Sequence, residues 1–361
     1  MEFSHGSNMG NDESSSSFST GKSAQERGLS HVPESYVIPT SHDPNLHPET
    51  AKVPVVDLSG FRHVSAQRSL IIQDIKNACH RMGFFQIINH GISQSLMDGA
   101  LSSAFGFFNL STPEKMKLMS NDIHKPVRYG TSIKDEIDNI QFWRVFLKHY
   151  AHPLEDWIHS WPANPPYYRE KMGNYCSEVR KLGIELMGAI TESLGLGSAY
   201  SSDKMNEGMQ VMAVNCYPPC PNPNVAVLGL PPHSDYSCLT IVLQSSPGLE
   251  IMDMEEGKWG IVPKLHGALQ VHVGDHLEVL SNGLYKGVVH RAVLNCDGTR
   301  ISIASLMSLG FDEKMGAGKE LVDEQHPKRY KESSFGDFLN FLSANDIGEG
   351  KAFIDTLKII K

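Results

Sequence analysis

The sequence predicts an α+β protein: a β core built as a double-sheet jelly roll or barrel, flanked by helices. Three observations carry this. From Gln210 to Met307 the chain is a series of short apolar segments separated by turn signals such as Pro218-Pro219, Asn282-Gly283 and Asp297-Gly298, the texture of a unit made of short strands. Before it, apolar residues recur at helical spacing, most clearly in Met172, Tyr175, Val179, Leu182, Leu186, Ile190 and Leu194. With 361 residues and 40% hydrophobic composition, the chain also has enough apolar material for a substantial core, in one large domain or two smaller ones.

Taken in order, residues 1–28 hold a serine run and little that can form a core, so they read as a disordered leader. The stretch from Val32 to Glu49 is rich in Pro and His and reads as an extended arm over the body. Val53–Leu58 is a short apolar strand. Leu70, Ile71, Ile75, Ala78, Cys79 and Met82 then recur with helical period, and Gly83 supplies the stop. Phe84–Ile88 reads as a buried strand, Gln94–Phe108 as a second helix, and Ser111 to Glu114 as the start of another. The long stripe from Met172 to Leu194 is a scaffold helix for a sheet. Strands are predicted at Met212–Tyr217, Leu239–Gln244, Leu249–Met252, Ala268–Val273, His276–Leu280, Lys286–Leu294 and Arg300–Met307, and helices at Phe335–Leu342 and Phe353–Ile360. The organisation expected is a leader (1–28), a helical N-terminal region packing on the core (29–205), a jelly-roll core (206–312) and a C-terminal helical segment (313–361).

A net charge of −9 argues against a surface that neutralises phosphates, so no nucleic-acid partner is expected. The six cysteines show no CxxC pair and no zinc-finger spacing, which suits reduced thiols in the cytosol. No run approaches the roughly 18 apolar residues that cross a bilayer, so no membrane association is expected. The N-terminus lacks the apolar core of a secretory signal. It is Ser-rich like some transit peptides, but Asp12 and Glu13 weigh against one, so a cytoplasmic protein is expected, as a monomer.

Chemistry concentrates in the β region: His233-Ser-Asp235, then His290-Arg291, then Arg300-Ile-Ser302. In a strand, residues two apart face the same way, so His233 and Asp235 can reach one ion, with His290 supplied by another strand. Two imidazoles and a carboxylate are the ligand set of a mononuclear non-haem iron site that keeps positions open for oxygen chemistry. His290 lies in an apolar segment, where an imidazole needs a partner or a metal. Arg300 and Ser302 also share a face; a guanidinium holds a carboxylate through two parallel hydrogen bonds and a hydroxyl adds a third. Each has a plainer reading, a surface His-x-Asp, a satisfied core histidine or a structural salt bridge, and it is their co-occurrence that favours a site. A competing cluster, His272, Asp275 and His276 with His266 before it, fits less well, because strand–turn–strand geometry around Gly274 would send its side chains apart.

These residues are embedded in longer motifs: Val53-Pro-Val-Val-Asp57, Gly83-Phe-Phe-Gln-Ile-Ile-Asn-His-Gly91, Asn215-Cys-Tyr-Pro-Pro-Cys-Pro-Asn-Pro223, Pro232-His-Ser-Asp235, Val273-Gly-Asp275, Leu280-Ser-Asn-Gly283 and Tyr285-Lys286. With them the chain, from about Val32 to its end, resembles the plant soluble Fe(II)- and 2-oxoglutarate-dependent dioxygenases, a family that includes flavanone 3-hydroxylase, anthocyanidin synthase and gibberellin oxidases. The resemblance implies a distorted double-stranded β-helix wrapped by helices. It implies Fe(II) on His233, Asp235 and His290. It further implies that 2-oxoglutarate is gripped at its far carboxylate by Arg300, Ser302 and Tyr217, with Asn215 near its metal end. Many members carry Asn at His272, Gln at His276 and Arg at Leu284, so this chain departs from them there.

The activity implied consumes O2 and 2-oxoglutarate, releases succinate and CO2, uses ascorbate as reductant, and hydroxylates or desaturates a small, mostly apolar metabolite such as a flavonoid, phenolic, terpenoid or hormone. Substrate placement decides the outcome. Phe146 and Lys148 alternate along the segment after Trp143, Tyr129 and Thr131 precede it, and Leu306 continues the face of Arg300 and Ser302, so these five are the candidate substrate contacts; if Lys148 faces the pocket, an acidic substrate is favoured. A catalytically silent metabolite sensor on the same fold is the alternative, and a demethylase of nucleic acid or protein a more distant one.

Overall fold

The computed structural model describes residues 32–37, 49–63, 66–130, 141–200, 202–220, 227–294, 298–346 and 349–359. The predicted leader, most of the arm, Thr131 and Asp297 lie outside them. The described strands are β1 (Glu49–Thr50), β2 (Val55–Asp57), β3 (Phe84–Ile88), β4 (Val127–Gly130), β5 (Val145–His152), β6 (Gln210–Tyr217), β7 (Leu228–His233), β8 (Leu239–Gln244), β9 (Leu249–Asp253), β10 (Lys258–Ile261), β11 (Leu269–Val273), β12 (His290–Val293) and β13 (Arg300–Met307). The described α-helices are α1 (Ala66–Arg81), α2 (Gln94–Phe108), α3 (Thr112–Met116), α4 (Leu154–Trp157), α5 (Tyr168–Ser193), α6 (Ser202–Asn206), α7 (Asp275–Leu280), α8 (Phe335–Ala344) and α9 (Phe353–Leu357).

An eight-stranded sheet runs β2-β3-β11-β8-β13-β6-β5-β4 and a five-stranded sheet runs β1-β10-β9-β12-β7. Pairing is antiparallel except at β2–β3 and β1–β10. The two sheets face each other across a cavity, in the predicted α+β, jelly-roll arrangement.

Helices α1, α2 and α5 cover the other face of the large sheet. The stripe Met172, Tyr175, Val179, Leu182, Leu186 and Ile190 of α5 is fully buried, packed with α1, α2, β8 and β13. Alternation on the strands serves this division: Leu147, Val214, Ile241, Leu243, Ile301 and Ile303 enter the helix-backed core, and the residues between them turn to the cavity. Helix α1 stops where Gly83 takes φ +62°, and a side chain there would collide with the Lys286 carbonyl. Ser93 caps α2 by accepting from the Leu96 amide at 3.3 Å. In the described part of the arm, Tyr36 meets Trp143 edge-on at 5.2 Å and Ser35 O accepts from the Gln141 amide.

Several expectations are corrected. The predicted strand His276–Leu280 is helix α7, every residue of which is buried; with no solvent face its polar and apolar residues carry no readable period. The predicted strand Lys286–Leu294 is extended enough to pair only at β12. Strand β7 contains Pro231 and Pro232, which argue against a strand interior, but β7 is a sheet edge, where a missing N–H leaves no gap in the ladder. The last helix is shorter, ending at Leu357. The region read as helical supplies, besides the expected strand at Phe84–Ile88, β4 and β5 to the large sheet. The five described cysteines, Cys79, Cys176, Cys216, Cys220 and Cys238, are buried. Among the described residues, no helix is long and apolar enough to cross a membrane.

Candidate active site and metal centre

His233 ends β7 and His290 begins β12, and the two are direct cross-strand partners with ring centroids 4.2 Å apart. Asp235 lies two residues beyond the end of β7, in the bend rather than in the strand itself. Its carbonyl accepts from the Asp275 amide at 2.7 Å, which ties the bend to the start of α7. Gly274 permits this approach, because a side chain there would collide with the Ser237 carbonyl. The outcome is a group, His233, Asp235 and His290, whose candidate ligand atoms lie within 4.8 Å of one another.

The tautomers suit a metal. His233 Nδ1 lies 2.8 Å from the Pro231 carbonyl and His290 Nδ1 lies 3.1 Å from the Val288 carbonyl. A carbonyl only accepts, so each Nδ1 carries the proton and each Nε2 presents a lone pair. Burial keeps both rings neutral: it pushes His233 down, and pushes His290 down to about 3 with His233 reinforcing the effect. Burial alone would raise the Asp235 carboxyl, but His290, His272 and His233 beside it outweigh that and hold it below the usual carboxylate range. Asp235 Oδ2 is buried without a hydrogen-bond partner, with His272 Nδ1 3.5 Å away. A buried carboxylate oxygen lacking a donor, beside two imidazole lone pairs, fits a divalent cation.

Arg300 stands at the other end of the cavity's polar strip. It is 3% exposed, its Nε donates to Ser246 O at 3.1 Å, its Nη2 donates to Gln244 Oε1 at 3.0 Å, and its guanidinium lies 4.9 Å from the centre of the Tyr217 ring. Its Nη1 is buried and lacks a protein acceptor. Gly248 makes room for it, since a Cβ there would sit 2.8 Å from Arg300 Cδ. Register puts Arg300 opposite Tyr217 and Ser302 opposite Asn215. Asn215 Oδ1 accepts from Arg144 Nη1 at 2.7 Å.

Of the substrate candidates, Phe146, Lys148 and Leu306 line the cavity, of about 290 Å³. Tyr129 does not: it faces the helix-backed core, 6.0 Å from Phe107, because it pairs with Leu147 on the opposite face of β4–β5 from Phe146 and Lys148. Thr131 lies outside the described residues. The competing histidine cluster separates. His276 has a hydroxyl on each nitrogen, Ser308 at 3.0 Å and Ser333 at 3.2 Å, and ties α7 into the core. Leu284 is largely exposed. Of that cluster, His272, against Asp235, and Asp275 line the cavity.

Sequence reasoning missed Gln244 and Arg144, which hold Arg300 and Asn215. It also missed the wall formed by Phe335, Phe338 and Leu339 of α8. Gln244 could have been found by extending the alternation of β8, where Thr240, Val242 and Gln244 share one face and the last of them is an amide; no local signal in α8 indicates that its apolar face covers a cavity.

Residues 53–164 match the family model described as non-haem dioxygenase in morphine synthesis N-terminal, and residues 208–308 match the 2OG-Fe(II) oxygenase superfamily. The chain is 51% identical over 318 residues to 2-oxoglutarate-dependent dioxygenase 21, chloroplastic, of Oryza sativa subsp. japonica, covering 88% of this chain and 94% of that protein. It is 49% identical to flavanone 3-dioxygenase 3 of the same organism, covering 87% and 95%. A solved structure of JOX2 in complex with 2OG, Fe and JA superposes with a TM-score of 0.80 at 27% identity, covering 95% of this chain and 97% of that one.

Proposed function

The chain belongs to the 2OG-Fe(II) oxygenase superfamily and is a 2-oxoglutarate-dependent dioxygenase, an oxidoreductase; on that premise we propose that His233, Asp235 and His290 hold its ferrous ion and that it oxidises a small, mostly apolar metabolite. The observation that carries the assignment is the convergence of two Nε2 lone pairs and an unpartnered buried carboxylate oxygen from β7, its bend and β12. With iron bound, oxidative decarboxylation of 2-oxoglutarate by dioxygen yields succinate and CO2 and oxidises a substrate C–H bond by hydroxylation or desaturation.

The rest is the work of side chains. Arg300, with Gln244 and Ser246 fixing its orientation, receives the distal carboxylate of 2-oxoglutarate on its free Nη1. Ser302 and the Tyr217 hydroxyl flank that carboxylate, and Asn215, oriented by Arg144, stands nearer the metal. Backbone carbonyls hold both imidazoles in the ligating tautomer, so no proton must leave them when the ion binds. Phe335, Phe338 and Leu339 line the cavity and exclude water from the oxidising centre.

The names of the relatives make flavanones the first substrates to try. Purified protein with Fe(II), ascorbate, 2-oxoglutarate and flavanone or a related phenolic is expected to release succinate in step with product, and His233→Ala or Asp235→Ala to lose at least a hundredfold of that turnover and of iron occupancy (about 3 kcal/mol). Wild-type activity in either variant contradicts the ligand assignment. We further propose that residues 29–205 pack on a catalytic core of 206–312 that 313–361 closes, residues 1–28 being a leader. We also propose a cytoplasmic monomer, which a fluorescent fusion and gel filtration test directly.

A further inference from the structure

The sheet wall of the cavity changes chemistry from row to row. Nearest the 2-oxoglutarate end the cross-strand row is Phe146, Asn215 and Ser302; next is Lys148, Ala213 and Ala304; beyond it comes Tyr150, Val211 and Leu306. The middle row therefore pairs one ammonium with two methyl groups, and Ala213 and Ala304 both line the cavity. Two small residues between bulkier rows leave an open floor beside Lys148.

Lys148 Nζ donates to the Ile123 carbonyl at 2.8 Å and lies 5.2 Å from the centre of the Tyr150 ring. An ammonium has three donors, and one acceptor uses only one of them. The charged groups acting on it are Arg128, its partner across β4–β5, and Asp122 in the segment before β4. Burial, reinforced by Arg128, pushes its pKa down to about 7, so the cation is poorly compensated where it stands. Arg128 and Arg144 also line the cavity, their guanidiniums 4.9 and 5.0 Å from the centre of the Phe146 ring, and they extend the cationic character of this wall. Against the third row, where Phe335 packs with Tyr150 and Val211, the Phe335 and Phe338 rings stack on Tyr236 with centroids 4.6 and 4.4 Å away, making an apolar wall of the cavity. At about 290 Å³, with part taken by 2-oxoglutarate, the space is at the small end for ligand cavities.

We propose that Lys148 is a specificity-determining residue and that the substrate is a compact carboxylic acid: its carboxylate pairs with Lys148, and its apolar ring lies over Ala213 and Ala304, facing Phe335 and Phe338. This rests on the dioxygenase reading and narrows the metabolite from mostly apolar to apolar with one acidic end.

The test uses iron- and 2-oxoglutarate-loaded enzyme under exclusion of oxygen at pH 6.5, titrated calorimetrically with benzoate, trans-cinnamate and 2-naphthoate, each beside its uncharged primary amide. At least one acid is expected to bind tenfold or more tightly than its amide. That preference should fall to within twofold in both Lys148→Met and Lys148→Gln, and persist in Lys148→Arg; thermal unfolding selects the variants that fold. No preference for any acid in the wild type overturns the proposal, as does a preference that survives loss of the charge in a folded variant. Succinate formation by the wild type in air, without added compound and with each acid and amide, is measured in parallel. If iron-dependent succinate forms while no acid is preferred, only the Lys148 proposal falls; if none forms with any compound, the dioxygenase reading falls with it.

Discussion

At the scale of the residue, the site is a set of polar atoms whose partners have been arranged or withheld. His233 and His290 each lose Nδ1 to a carbonyl two residues back, which commits Nε2 to a ligand. Arg300 shows the same economy: Gln244 and Ser246 take Nη2 and Nε, and Nη1 is left for a carboxylate. Gln244 is thus a positioning residue. Gln244→Ala is expected to raise the KM for 2-oxoglutarate about tenfold, the worth of one hydrogen bond to a charged group, with kcat at saturating 2-oxoglutarate nearly unchanged. An equal loss in kcat would instead place Gln244 at the reacting atoms. The proposed metal ligands were readable as candidates from sequence because His-x-Asp and a distant His name their own chemistry. Gln244 and Arg144 were not, since a buried amide or guanidinium carries no sign of which atom it supports.

At the scale of the element, alternation does the sorting. Along β5, β6 and β13 one set of side chains enters the helix-backed core and the other faces the cavity, so a change at a cavity position need not disturb the core. Ala304→Phe puts a ring into open space, where overpacking strain is small compared with the roughly 1–3 kcal/mol seen in closed cores. The expected result is a thermal midpoint close to wild type with substrate affinity lowered at least tenfold, read by calorimetry; a midpoint that collapses would mean Ala304 is core. The same alternation explains the failures of sequence reading. Tyr129 was a substrate candidate by proximity, but the register of β4 on β5 turns it away. Helix α7 was read as a strand because all six of its residues are buried, so amphipathic period was absent. The strands with obvious alternation or dense apolar character, such as β3, β8 and β13, were readable to the residue or nearly so.

At the scale of the whole molecule, much polar chemistry is buried, and stability follows its protonation. His149, with its Nε2 3.0 Å from the Tyr168 hydroxyl, is pushed down to about 3 by burial, and His276 to about 4. Their unfolded counterparts titrate near 6.5. Below that pH the unfolded chain binds more protons than the folded one, so stability is complete above about 6.5 and falls as pH drops, by roughly 1.4 kcal/mol per unit for each group. In metal-free protein His233 and His290 act in the same direction, and metal should therefore stabilise most at neutral pH. Urea unfolding of metal-free protein at pH 7 and pH 5 is expected to show a clear loss at the lower pH, partly relieved in His149→Gln. An unmoved midpoint would mean that these imidazoles are already charged in the folded state.

By itself, the sequence determined the α+β class, most of the helices and long strands, and the residues proposed to hold the metal (His233, Asp235, His290) and a carboxylate (Arg300 with Ser302), because periodicity and donor chemistry are local properties of the chain. Only the tertiary structure decided which face each strand gives to the cavity, that β7 pairs directly with β12 to bring the imidazoles together, that Gln244 and Arg144 hold the co-substrate residues, and that α8 walls the pocket. Those outcomes depend on register and packing between segments far apart in the chain, and a contact of that kind leaves no pattern in either segment alone.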